Sequence, residues 1–348
     1  MAPHAESEAK FEEEAPRFEK LVAPSADSYK IRPDPIEYPI MLAYFLFGIY
    51  ASYLALISAK LTTILFSLLM VIPGMIGVTA GVHRLWSHRS YKVKPQLEIL
   101  LTMFYLLSNQ RSIITWARRH HLHHQCADTD ADPHNAQRGF WFSHYGWTMM
   151  EPHPEVNKRI KYMDVSYLFN NPIVKFQHDY FVPLVILVTY VIPVYIPTLW
   201  GESLYASFMA NMLRMHITLH LSCCINSVTH LIGYKPIDIT AVGTQTRLAG
   251  IMIAGEGFHN YHHAFPYDYR ASEFGDTKYN LGAMFIELMA KIGWAYDLKV
   301  TSEEVVKNRV LKKGDGTDQY YIPNNPKKQK FFTTQFYKNI ITGDTHDD

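Results

Sequence analysis

Hydrophobic and polar positions along the chain fall into long blocks. Residues 38–59, 61–82 and 180–201 contain no Asp, Glu, Lys or Arg. Each block is 22 residues long, enough at about 1.5 Å per residue to cross a hydrocarbon layer of roughly 30 Å. A fourth stretch, 206–229, is apolar apart from Arg214, His216 and His220. Pro73, Pro183, Pro193 and Pro197 lie within or beside these blocks. Prolines count against long soluble helices but are tolerated better in membrane helices. Only a few residues around Lys60 separate the first two blocks, and Gly201 and Glu202 lie between the last two. The pattern predicts an all-α integral membrane protein with four spans in two hairpins, near 38–59, 61–82, 180–201 and 206–229.

Longer polar segments, 83–96, 111–178 and 235 onward, lie on one side of that layout. They carry Arg84, Arg89, Lys92, Lys94, Arg118, Arg119, Arg138, Lys158, Arg159 and Lys161. The positive-inside bias assigns this side, with both termini, to the cytosol, where the segments form a helical cap over the spans. The apolar run Leu97–Leu107 is too short to span and predicts an interfacial or buried helix, with part of 241–254 similar. The acidic segment 1–37 lacks the basic-then-apolar order of a cleaved signal peptide and reads as a cytosolic arm. A single domain is expected over 38–318, followed by a polar tail from 319 to 348.

Composition adds exclusions. Thirty-three Lys and Arg face 32 Asp and Glu, formally +1, so bulk charge gives no basis for nucleic-acid binding. Charged residues are 19% of the chain, against roughly 25% in soluble domains, and the deficit sits in the apolar blocks. Three cysteines, with Cys223 and Cys224 adjacent in the fourth block and Cys126 lacking a CxxC partner, give no disulfide framework.

The chemistry is carried by histidine. Eight of the 18 histidines fall in three clusters: His83 and His88; His120, His123 and His124; and His259, His262 and His263. Positions i, i+3 and i+4 share a helix face, so each triplet is expected to converge. His83 and His88, five apart, do not share an α-helical face, which puts one of them at a helix end. His230 follows the fourth block, four residues after Asn226. Nine imidazoles exceed the capacity of one ion and suit two, with four or five nitrogens each. Imidazole alone does not select between zinc, copper, iron and nickel. A histidine-rich pair beside lipid matches redox iron handling oxygen better than zinc, which is satisfied by three or four ligands. Asp128, Asp130, Asp132 and Glu256 are placed to orient imidazoles by accepting their outer N–H.

At these residues the sequence resembles the membrane-bound fatty acyl-CoA desaturases, in particular the insect enzymes and the stearoyl-CoA desaturase group. The matching pieces are GVHRLWSHRSYK (81–92), TDADPHNAQRGFWFSHYGW (129–147), GEGFHNYHH (255–263) and KIGWAYDLK (291–299). The resemblance implies that the nine histidines hold two irons, with Asn226 approaching one of them through water. It implies a bent acyl tunnel shaped by Trp116, with Ser222 near the bend in place of a threonine and Arg118 among the head-group contacts. It further implies an enzyme of the endoplasmic reticulum membrane with a cytosolic active site. Fatty acyl-CoA and O2 are then the substrates, and electrons arrive from NADH through cytochrome b5 and its reductase. The expected reaction is insertion of a cis double bond near C9. The alternatives are Δ11 or another regiochemistry, hydroxylation, or a non-catalytic membrane lipid-binding or scaffolding role.

Three departures from the family pattern change charge: the first should alter a local ion pair, and the last removes two positives that would face the CoA phosphates. The segment before the second cluster is Trp116-Ala117-Arg118-Arg119-His120, with Arg119 where the family has an acid. His121 stands where an arginine is common, and Glu151 and Pro152 replace two basic residues. Arg118, Arg119 and Arg138 are the residues expected to compensate.

Overall fold

The computed structural model describes residues 30–272, 279–318 and 320–322. The expected arm up to residue 29, and the tail beyond 319 apart from 320–322, lie outside the described residues. Described structure is almost entirely helical. Among the described residues the exceptions are a short antiparallel pair, β1 (Lys92–Val93) with β2 (Ala295–Tyr296), and isolated bridges such as Pro33 with Met150.

Three helices among the described residues are long and apolar enough to cross a membrane: α1 (Glu37–Ser58), α2 (Leu61–Ser87) and a third, Phe181–Trp200. Between them come α3 (Pro95–Ser108), α4 (Ile113–Cys126) and α5 (Phe140–His144), so the third long helix is α6. The fourth apolar stretch forms one continuous helix, α7 (Leu204–Leu231), 28 residues long. Its Arg214, His216, His220 and His230 dilute its apolarity, and it is not among the three. Two short-range features build the rest of the site: α8 (His259–Ala264) and α9 (Leu281–Lys291).

Packing follows side-chain size. α1 presents Gly48, Ala51 and Ala55 inward, small residues that let a neighbouring helix approach closely. α7 fills that groove with Met209, Ala210, Met212 and Leu213. The opposite face of α1 exposes Leu46, Tyr50, Tyr53, Leu56 and Ile57, as expected for side chains meeting lipid rather than water. α2 crosses α3 so tightly that a Cβ on Gly77 would lie 2.2 Å from the Tyr105 backbone nitrogen. Only glycine fits there. The expected interfacial helix over 97–107 is thus α3, buried along Leu97, Leu101, Tyr105 and Leu106.

Arg214 is fully buried in α7. Its guanidinium donates to the Leu107 carbonyl at 2.7 Å, the Asn211 side chain at 2.9 Å and the Thr189 carbonyl at 3.3 Å. Those carbonyls belong to the end of α3 and to a π-helical turn in α6 (Ile186–Val191), where regular helix bonding is interrupted. The arginine therefore satisfies buried acceptors that would otherwise cost stability.

Candidate metal centre

The last eleven residues of α2, Gly77–Ser87, form a π-helix and are all buried. Hydrogen bonding from i+5 to i makes residues five apart neighbours. The His88 N–H donates to the His83 carbonyl at 3.1 Å, and the two rings lie 4.9 Å apart. His88 ends the π-helix, so the spacing that does not suit an α-helix suits this one. Ser112 caps α4, its Oγ accepting from the Thr115 N–H, and α4 carries the second cluster. α7 runs on to His230, and α8 carries the third cluster.

The nine histidines divide into two groups. His83, His88, His120, His124 and His262 form one; His123, His230, His259 and His263 form the other, with ligating atoms within 4.8 Å of one another in each. In the first group Nε2 of His83 lies 2.9 Å from that of His262, His88 2.8 Å from His120, and His262 3.0 Å from His124. In the second, His259 Nε2 is 3.1 Å from His230 and 3.0 Å from His263.

This corrects the expectation that each triplet converges. His123 leaves His120 and His124 for the second group, and His262 leaves His259 and His263 for the first. At about 100° per residue, i and i+4 are roughly 40° apart on a helix, whereas i+3 lies on the other side of i and about 100° from i+4. The i, i+4 pair stays together and the i+3 residue reaches across. Each helix thus contributes to both groups.

Carboxylates stand behind the imidazoles. Asp132 Oδ2 accepts from His123 Nδ1 at 2.9 Å and from the Asp128 N–H at 2.8 Å. Asp128 Oδ2 lies 3.3 Å from His230 Nδ1, and Glu256 Oε2 lies 3.0 Å from His83 Nδ1. Asp130 does not reach an imidazole of either group; it pairs with Arg138 at 2.7 Å. His134, outside the expected set, is buried with its Nδ1 3.3 Å from Asp132 Oδ1, and the DPH step linking it to Asp132 was its only sequence signal.

Burial, reinforced by neighbouring imidazoles, holds His88, His120, His124, His259, His262 and His263 well below the ordinary histidine range. They are neutral at physiological pH. Burial also drives His134 down to about 3, against the pull of Asp132. For His123 burial is outweighed by the Asp132 carboxylate, which raises its pKa. Burial would raise Asp132, but His123 and His134 hold it well below the usual carboxylate range. Nε2 atoms crowded tip to tip, with acids on the outer Nδ1 of His83, His123 and His230, are a donor set that fits two cations.

A cavity of about 650 Å³ borders both groups, reaching His83, His120, His123 and His259. Ile40, Met41, Tyr44, Val78, Tyr190, Leu219 and Ile225 line its apolar part; Asp34, Glu37, Arg111, Arg119, Arg138 and Glu151 line a charged part. Trp116 forms a wall, stacked on His120 with ring centroids 4.7 Å apart. Its Nε1 donates to Gln110 Oε1 at 3.3 Å, and Gln110 Nε2 donates to Ser222 Oγ at 2.7 Å. Asn226 lines the same cavity. Arg118 does not: Trp116, Arg119, His120 and His123 share a helix face at i, i+3, i+4 and i+7 that excludes it. Arg119, also among the arginines expected to compensate, does line the cavity, its guanidinium 5.7 Å from the Trp147 ring centroid. His216 and His220 stay out of the cavity wall; His220 Nδ1 meets His144 Nε2 at 2.9 Å instead.

Fold and site together define a predominantly helical membrane protein whose histidines gather into two adjoining groups that suit metal binding. Residues 58–294 match the fatty acid desaturase family model. The chain is 45% identical to an acyl-CoA Delta(11) desaturase of Choristoneura rosaceana, covering 91% of this chain and 96% of that protein. It is also 45% identical to the (11Z)-hexadec-11-enoyl-CoA conjugase of Bombyx mori (88% and 93%) and 41% identical to an acyl-CoA Delta-9 desaturase of Acheta domesticus (79% and 77%). The chain belongs to the fatty acid desaturase family and is an oxidoreductase.

Proposed function

We propose that the protein is a four-span enzyme of the endoplasmic reticulum membrane that inserts a cis double bond into a long-chain fatty acyl-CoA, with its termini and active site cytosolic. The observation that carries this reading is the five-plus-four division of buried imidazoles beside a cavity with apolar walls. Two irons held by those nine residues, one of them also approached by Asn226 through water, would supply the oxygen activation needed to remove hydrogen from an unactivated methylene. No side-chain base does that, because such a C–H is not acidic. Electrons come from NADH through cytochrome b5 and its reductase.

The chain's own residues do the rest. The apolar wall holds the acyl chain, at roughly 0.8 kcal/mol per buried CH₂. Trp116, fixed by Gln110 and lying on His120, sets which methylenes face the imidazoles. Asp128, Asp132 and Glu256 hold the ligand rings in their tautomer and orientation. At the charged end, Arg119 has no ion pair among the described residues, while Arg111 is held by Glu37 at 2.6 Å. Arg119 is therefore the residue offered to a CoA phosphate, opposite the acid Glu151.

The resemblance favours a double bond at C9. A second reading, C11, is favoured by the name of the Choristoneura rosaceana relative at 45% identity. Expression in a desaturase-deficient eukaryotic cell with an intact cytochrome b5 system, fed defined saturated acids, tests both: mapped double bonds at C9–C10 or C11–C12 decide between them. Hydroxylated products, or lipid binding without any new double bond, would replace this reading with a hydroxylase or a non-catalytic lipid-binding role.

A further inference from the structure

The two imidazole groups are backed by different amounts of charge. Behind the group of five stands one carboxylate, Glu256, and it is not alone. Arg84 grips its Oε1 with Nη2 at 2.9 Å and Nε at 3.2 Å, while Oε2 lies 3.0 Å from His83 Nδ1. Arg84 and Glu256 are both about 1% exposed. The guanidinium is fixed on its other side, Nη1 donating to the Tyr269 carbonyl at 3.1 Å and to Asn280 Oδ1 at 3.2 Å. A Cβ on Gly282 would lie 3.1 Å from Arg84 Cζ, so α9 leaves just enough room for it.

Behind the group of four stand two carboxylates, Asp128 and Asp132, joined by the Asp128 N–H on Asp132 Oδ2. Their remaining partners are His123, His134 and His230 and the backbone N–H groups of His134 and Ala136. Among the described residues no arginine or lysine makes an ion pair with either. Lys235 is the cation whose field reaches Asp128, and it is shared with Asp238 and Asp315. Counting formal charges, Glu256 and Arg84 sum to zero behind the five imidazoles, and Asp128 and Asp132 sum to −2 behind the four.

We infer that Arg84, acting through Glu256, and the Asp128–Asp132 pair, which no arginine or lysine grips, make the two metal positions electrostatically unequal, so that iron at the five-imidazole position is the easier to reduce. The inference rests on the di-iron reading above. Negative charge close to a metal stabilises its higher oxidation state and lowers its reduction potential, and burial keeps that effect from being screened. Each ferric ion takes one electron on becoming ferrous. The first electron delivered to the pair then resides on the side of His83, His88, His120, His124 and His262, and the second goes to the side backed by two aspartates. Arg84 is a positioning residue in this scheme: it touches neither substrate nor metal.

The test is a reductive titration of the full-length protein, loaded with ⁵⁷Fe in detergent or nanodiscs, with dithionite and mediators and a Mössbauer readout of ferrous iron. Two one-electron steps at separate potentials are expected in the native protein. Asp128→Asn should raise the lower step towards the upper one, leaving the upper in place. Arg84→Gln should lower the upper step, and Arg84→Lys, which keeps the charge, should restore it. If Arg84→Gln does not fold, the Asp128→Asn titration decides alone. A single two-electron step that neither variant splits or moves overturns the inference, as does Asp128→Asn shifting both steps equally. Product formation by the same native preparation separates the two levels: an active two-iron protein with one undivided step refutes only the inequality, whereas a protein without iron or product refutes the desaturase reading itself.

Discussion

His262 shows how much one side chain carries at the site. It is the residue of the third cluster that crosses to the other group, lying within 3.0 Å of His83 and His124 through Nε2. His262→Ala should reduce olefin formation to background and lower the iron content while leaving membrane insertion intact, read by product analysis and metal content on the same purified sample. Asp132 acts one step further out. Asp132→Ala leaves His123 without its acceptor and should weaken metal retention about 10- to 100-fold, measured by competition with a chelator. Arg119 belongs to the charged end of the cavity. Arg119→Gln should raise the apparent KM for acyl-CoA by roughly ten- to a hundredfold, the loss expected for a charge-assisted hydrogen bond, with kcat little changed. Glu151→Lys should lower that KM. A KM unchanged in both variants would remove the head group from this end of the cavity.

The depressed histidines also fix a pH dependence. An unfolded histidine titrates near 6.5, whereas the buried ones stay neutral to lower pH. The folded apoprotein therefore binds fewer protons than the unfolded chain as pH drops through that value, and its stability falls with it. Lowering the pH from 7.5 to 5.5 should reduce the thermal midpoint of the apoprotein in detergent. An unchanged midpoint would contradict the burial of neutral imidazoles.

At the scale of elements, the sequence showed which segments carry the chemistry but not how they bend to it. Eight of the nine imidazoles stand out in the chain as clusters, with Glu256 beside one of them and His230 just past the fourth apolar block. Their sorting into five and four does not, because it depends on how α4 and α8 face one another across the seam. Nor does the π-helical end of α2 show: nothing local in GVTAGVHRLWS announces it, and its effect is to make His83 and His88 neighbours. Which of two neighbouring arginines faces the cavity has a similar origin. Arg118 and Arg119 are adjacent in sequence, and only the helix phase set by Trp116 and His120 separates the one in the cavity from the one outside it. α2 also depends on its close crossing with α3. Gly77→Leu would drive a side chain into the Phe104–Tyr105 backbone of that helix. A loss of at least about 1–3 kcal/mol is expected, read as a lower thermal midpoint and reduced metal content together.

Over the whole molecule, the apolar blocks, the polar cap and the histidines were legible because membrane thickness and metal ligation impose lengths and residue types that little else requires. The fourth block was less so. Arg214, His216 and His220 are polar in sequence, yet α7 turns them towards α1, α3, α5 and α6, where Arg214 caps carbonyls and His220 meets His144. Because α4 and α8 each contribute imidazoles to both groups, the two groups form one structural unit.

That unit has a countable output. Forming one double bond with reduction of O2 to two waters needs four electrons, two from the substrate and two from a pair of ferrous ions. Purified protein, reduced, freed of excess reductant, loaded with a saturated acyl-CoA and then exposed to O2 without cytochrome b5, should yield up to one olefin per chain and stop. Two irons per chain with no olefin under these conditions, or olefin formed by iron-free protein, would contradict the account.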